Sequence, residues 1–228
     1  MAVRAEAVDT RIEVPGAEGG VSGLWLRPEA ARAALVLAHG AGAGMRHAFM
    51  ESIASALAER GVATLRFQFP YMESGSRRPD RPARASAAVR AAVQAGGALA
   101  PELPLFAGGK SFGGRMTSTA ESEAPLGVRG IAFLGFPLHP AKKPGNDRAA
   151  HLDDVRVPML FLQGTRDELA DLERLRPVCD KLAPRARLHV VEGGDHSFHV
   201  LKRSGRSDEA VLEELADATA DWMAGSDT

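Results

Sequence analysis

The chain has 228 residues, is 45% hydrophobic, and carries 28 basic and 29 acidic side chains that nearly cancel. That length suits one sizeable core, so a single domain over 1–228 is expected, and the balanced charge argues against nucleic acid or an anionic membrane as a partner. The single cysteine, Cys179, excludes an internal disulfide and a thiolate metal cluster, which fits a reducing compartment.

Charges at Arg4, Glu6, Asp9, Arg11 and Glu13 run through the N-terminal stretch with no apolar core after them, so no secretion signal is expected. No uninterrupted apolar run reaches the roughly 18 residues of a membrane span. A cytoplasmic location follows as the expectation.

In chain order, Arg11–Val14 and Val21–Leu26 are candidates for antiparallel edge strands. Ala34–Ala38 is a short apolar run ending at His39-Gly40, the pattern of a buried parallel strand. Met50, Ile53, Ala54 and Leu57 then recur at helical spacing, with Gly61 as the stop. A strand over Val62–Phe67 precedes a loop rich in Gly, Ser, Pro and Arg over Tyr71–Pro82, and Ala83–Ala95 reads as a helix. The alternation continues with a strand at Leu103–Ala107, a glycine turn, a helix at Phe112–Ser122 and a strand at Gly130–Leu134. A polar connector leads to a strand at Met159–Gln163, a helix near Asp171–Leu182, a strand at Arg187–Val191 and a final helix from about Ser207. This order predicts an α/β fold, a doubly wound, mostly parallel sheet with helices on both faces. The connector Leu138–Val155 leaves room for a minimal cap at most, so an open, shallow site is expected.

Functional groups of such sheets gather beyond the carboxyl ends of the strands. Gly109-Lys110-Ser111-Phe112-Gly113 is a G-x-S-x-G sequence between a predicted strand and helix, the pattern of a nucleophile elbow. Gly-Lys-Ser also ends a phosphate-binding loop, but that loop needs a glycine where Pro104 stands. Ser111 is therefore the candidate nucleophile, and the Phe112 N–H a candidate oxyanion donor at the start of a helix. His39-Gly-Ala-Gly-Ala-Gly44 follows an earlier strand, where Ala41 N–H is the second expected donor and Gly42 the next.

His196, beyond the last predicted strand, is the candidate base, with His199 and His139 as rivals. Asp167 is the candidate orienting acid, with Glu168 as rival and helix capping as the plainer role. The order Ser, Asp, His agrees with this assignment. Gly42, Tyr71, His47 and His139 are possible pocket-lining residues. Arg77, Arg78 and Arg81 are either an ordinary solvated charge run or a site for an acidic substrate group, and Lys110 is expected to pair near the elbow. Asp195, His196 and His199 suggest a metal site, but no further clustered ligand accompanies them, so neither a metal nor a cofactor is expected.

The chain resembles the lidless, dienelactone-hydrolase-like branch of the α/β-hydrolases. Within it, the chain is similar to the group containing the hydrolase-like domain of the third subunit of the NSL histone acetyltransferase complex. The resemblance rests on His39-Gly-Ala-Gly-Ala43, Leu105-Phe-Ala-Gly-Gly-Lys-Ser-Phe-Gly-Gly-Arg-Met116, Phe161-Leu-Gln-Gly-Thr-Arg-Asp167 and Gly193-Gly-Asp-His-Ser-Phe198. It implies a Ser111–His196–Asp167 triad, although dienelactone hydrolases proper use cysteine as the nucleophile. The expected activity is hydrolysis of a small carboxylic ester or thioester with a short acyl chain. The alternatives are a peptidase or perhydrolase on the same triad, or a non-catalytic interaction module on this fold. The sequence carries no signal of oligomeric state.

Overall fold

The computed structural model describes residues 6–225; Arg4 and the two chain ends lie outside them. Eight strands form one sheet: β1 (Val8–Val14), β2 (Ala17–Leu26), β3 (Ala33–Ala38), β4 (Val62–Phe67), β5 (Leu105–Lys110), β6 (Ile131–Leu134), β7 (Met159–Gly164) and β8 (Ala186–Val191). Their spatial order is β1-β2-β4-β3-β5-β6-β7-β8. The pairs from β4 through β8 are parallel, and β1–β2 and β2–β4 are antiparallel. Of the two predicted edge strands only β1 is an edge, because β2 is paired on both sides.

The helices are α1 (Ala48–Glu59), α2 (Pro70–Glu73), α3 (Pro82–Leu99), α4 (Phe112–Glu123), α5 (Leu172–Lys181) and α6 (Asp208–Gly225). Successive strand side chains point to opposite faces, so central strands that are apolar at every position serve two cores. Leu35, Leu37, Phe106, Leu160 and Leu162 pack with Met50, Ile53 and Leu57 of α1 and Val211, Leu215 and Trp222 of α6. Val36, Leu65, Ala107, Phe133 and Phe161 pack with Val89 of α3, Met116 of α4 and Leu175 of α5. No helix among the described residues is long and apolar enough to cross a membrane.

Three sequence expectations are corrected. The segment expected as loop from Tyr71 opens with the short helix α2, started by Pro70 at its first position, where a missing N–H costs nothing. Helix α3 runs to Leu99 through Gly96 and Gly97 rather than stopping at Ala95. A Cβ on Gly96 would come within 2.7 Å of Val36 Cγ2, so glycine lets α3 lie close on β3. The expected strand Leu103–Ala107 lies at Leu105–Lys110, with the predicted glycine turn inside it. Gly108 and Gly109 are ladder positions where the neighbouring backbones of β6 and β3 approach too closely for any side chain.

The connector between β6 and β7 contains a 3-10 segment, Asp147–Asp154, which packs on α4. Among the described residues no larger insertion follows the strand ends.

Candidate active site

Ser111 stands between the last residue of β5 and the first of α4, at φ 51° and ψ −111°. Such a positive φ strains a non-glycine residue by about 1–3 kcal/mol and persists only where its surroundings impose it. Here the Ser111 N–H donates to the Leu134 carbonyl of β6 at 3.2 Å, and its carbonyl accepts from Arg115 N–H at 3.1 Å. A Cβ on Gly113 would meet the Ala38 carbonyl oxygen at 2.4 Å, and one on Gly109 would meet the same oxygen at 2.3 Å. The two glycines of G-x-S-x-G therefore admit the end of β3 against the turn.

The loop after β8 brings in His196. Its Nε2 lies 2.8 Å from Ser111 Oγ and its Nδ1 lies 2.7 Å from Asp167 Oδ2. Asp167 sits in the loop after β7 with a fully buried carboxylate, which also accepts from Gln163 Nε2 and, at 2.8 Å, from Leu169 N–H. Gln163 Oε1 in turn accepts from Phe136 N–H at 3.0 Å. Helix α5 is capped by Asp171, not by Asp167, and Glu168 is exposed. The carboxylate held on Nδ1 leaves Nε2 turned to the serine, the orientation in which an imidazole can take a hydroxyl proton.

Polar contacts shape the histidine loop. Asp195 Oδ1 accepts from Ser197 N–H at 2.8 Å and His199 N–H at 3.0 Å. Lys110, on the residue before Ser111, donates from Nζ to the His196 carbonyl and lies 5.2 Å from the centre of the Phe198 ring. Burial lowers the Lys110 pKa to about 8, against the opposing charges of Asp167 and Asp195. This amine ties the end of β5 to the loop carrying His196.

On the opposite side, Phe112 opens α4, so its N–H has no intrahelical acceptor. The Ala41 N–H, on an exposed residue, has no acceptor among the described residues. The Gly42 N–H is engaged: it donates to the buried Tyr71 hydroxyl at 2.8 Å. That bond pins the loop, and it removes Gly42 as a free donor. His39, fully buried at the end of β3, accepts from Phe69 N–H at Nε2 and faces the Gly40 carbonyl with Nδ1 at 2.7 Å, which places its proton on Nδ1. Burial holds its pKa near 4, so the ring stays neutral as a brace between two strand ends.

The rival residues are placed elsewhere. His139 is buried, with Nδ1 2.9 Å from the Pro140 carbonyl. His199 is an exposed partner of Asp208, and His47 caps α1 by accepting from Phe49 N–H at 3.2 Å. A second serine–histidine pair joins Ser118 Oγ, buried on α4, to the half-buried His151 Nε2 of the 3-10 segment at 2.8 Å, and no carboxylate among the described residues is hydrogen-bonded to that ring. A cleft of about 400 Å³ lined by Phe49, Phe198, His199 and Leu212 includes neither Ser111 nor His196. Arg77, Arg78 and Arg81 are exposed, and no metal-binding group of side chains occurs among the described residues.

A family model for the alpha/beta hydrolase domain matches residues 31–224. The chain belongs to the alpha/beta hydrolase family. Solved structures that this hydrolase resembles include a dienelactone hydrolase from Anabaena variabilis, with a TM-score of 0.78 and 18% identity over 98% of this chain and 99% of that one. A serine hydrolase without a lid from Xanthomonas campestris gives 0.74 and 20% over 97% of each chain. A cold-adapted esterase from an Arctic intertidal metagenomic library gives 0.66 and 20% over 98% of this chain and 94% of that one. At such identities the likeness is one of fold.

Gln163, His39 and Lys110 complete the site, yet their sequence signal was slight. Each lies in or beside a motif block, but a glutamine inside a strand or a histidine before a glycine loop declares no partner until the strands are ordered.

Proposed function

We propose that the protein is a serine hydrolase that cleaves a small carboxylic ester or thioester through an acyl-enzyme. His196 takes the Ser111 proton as Oγ attacks the carbonyl carbon, and Asp167 holds the imidazolium that results. The N–H groups of Phe112 and Ala41 receive the developing oxyanion, each such donor contributing about 3 kcal/mol to the transition state. Collapse of the tetrahedral intermediate expels the alcohol or thiol, protonated by His196. Water, deprotonated by the same imidazole, then releases the acid. The observation that carries this reading is the unbroken chain from Ser111 Oγ through His196 to Asp167, at 2.8 and 2.7 Å.

Fluorophosphonate labelling with Ser111→Ala as control tests it. A single adduct on Ser111, absent from the folded variant, is expected together with turnover of short-chain esters. No Ser111-dependent adduct on folded protein would mean a non-catalytic member of the fold. Preferred turnover of long-chain lipid esters would contradict the open, uncapped site.

A further inference from the structure

On α4 and the 3-10 segment packed against it lie two cations, Arg115 and Arg148, with no anion paired to either among the described residues. Arg115 is one helical turn beyond Ser111 on α4. Residues four apart share a helix face, and helical side chains lean toward the N-terminus, so Arg115 reaches back toward the serine end of its helix. Its guanidinium carbon lies 5.8 Å from the centre of the Phe112 ring, on the residue that follows Ser111. Its Nε is buried with no hydrogen-bond partner, and no carboxylate among the described residues pairs with it. The charge that acts on it is a second cation, Arg148.

Arg148 belongs to the 3-10 segment that packs on α4 in the connector after β6, and its Nη1 donates to the His139 carbonyl at 3.0 Å. It too lacks a carboxylate partner among the described residues. Burial lowers the pKa of both guanidinium groups, and for Arg115 the neighbouring cation lowers it further.

Two half-buried like charges with open donors are costly, and proteins ordinarily neutralise them. This chain does so elsewhere: Arg60 is held by both Glu213 and Asp217, and Arg206 by Glu214. The exposed Arg77, Arg78 and Arg81 before α3 present no such problem, since water and salt screen them. Arg115 and Arg148 have no such partner among the described residues, and Arg115 lies over the ring of Phe112, the residue after Ser111.

We propose that Arg115 and Arg148 form a subsite for an oxyanion group carried by the substrate, a carboxylate in the first instance, a few bonds from the scissile carbonyl. The planar fork of arginine matches such a group bidentately, and the first turn of α4 adds its positive end. The substrate class is then an anionic ester or thioester, such as a half-ester of a dicarboxylic acid. The subsite rests on the Ser111 hydrolase reading and narrows it.

The test compares the para-nitrophenyl hemiester of glutaric acid with its neutral methyl diester, reading the ratio of their kcat/KM values. The native protein should favour the anionic ester by about tenfold or more, as expected for charge-assisted hydrogen bonds. That ratio should fall to about one in Arg115→Gln and in Arg148→Gln, the latter being the safer variant to fold because it lies on the connector. Inhibition by glutarate or inorganic phosphate that is lost in the variants supports the subsite, and the stronger inhibitor identifies the oxyanion. Equal turnover of the two esters by the native protein, or a preference that survives both substitutions, overturns the subsite while leaving the hydrolase intact. Absence of Ser111-dependent turnover of either ester overturns both readings.

Discussion

The elbow around Ser111 and the loop around His196 meet in one hydrogen bond but are built by opposite means. The elbow is held by backbone packing: Gly109 and Gly113 let the end of β3 approach, and the strained φ of Ser111 follows from that crowding. The histidine loop is held by polar side chains, through Asp195 on its own N–H groups, Lys110 on its carbonyl and Asp167 on its ring. The first region is therefore vulnerable to added volume and the second to lost hydrogen bonds. Strain fixes Ser111 in one position, whereas His196 keeps a contact network that can be loosened by degrees.

The contrast is sharpest at Gly113→Val. A side chain there collides with the Ala38 and His39 carbonyls, whose backbone is fixed in the central sheet, so the variant should fail to yield soluble folded protein. A folded variant with a native near-UV circular dichroism spectrum would show that the elbow does not depend on close approach.

Asp167→Asn keeps the volume and removes the charge. It should lower kcat by about 10³–10⁴-fold on short-chain esters while the protein still unfolds cooperatively in urea, because the wrong imidazole tautomer then faces Ser111. A loss of less than about tenfold would remove Asp167 from the proposed triad.

Lys110→Met should give the smallest effect, and one that depends on pH. The folded pKa of Lys110 lies near 8, below its usual value of 10.5, so the unfolded chain holds more protons between those limits. By linkage the native protein gains stability relative to the variant as pH rises through that window, by about 3 kcal/mol. Urea unfolding of both proteins at about pH 7 and about pH 10 measures this. A pH-independent difference would mean that the amine is not the buried tie between elbow and histidine loop.

The sequence alone determined the α/β class, the existence and chain order of the central strands, and the places of Ser111, His196 and Asp167 at three strand ends. It could do so because alternating apolar runs and glycine signals are local properties, and because a strained turn needs small neighbours in the chain itself. Even so, it read Gly108 and Gly109 as a turn, since a glycine demanded by a neighbouring strand looks the same as one demanded by a bend. Contacts between distant segments were decided only by the tertiary structure. Tyr71 on Gly42, Gln163 between Asp167 and Phe136, and Lys110 on the His196 carbonyl each join residues whose partners are set by strand order and helix packing. A polar side chain shows its type in the sequence, but its partner, or the lack of one, exists only once the chain has folded.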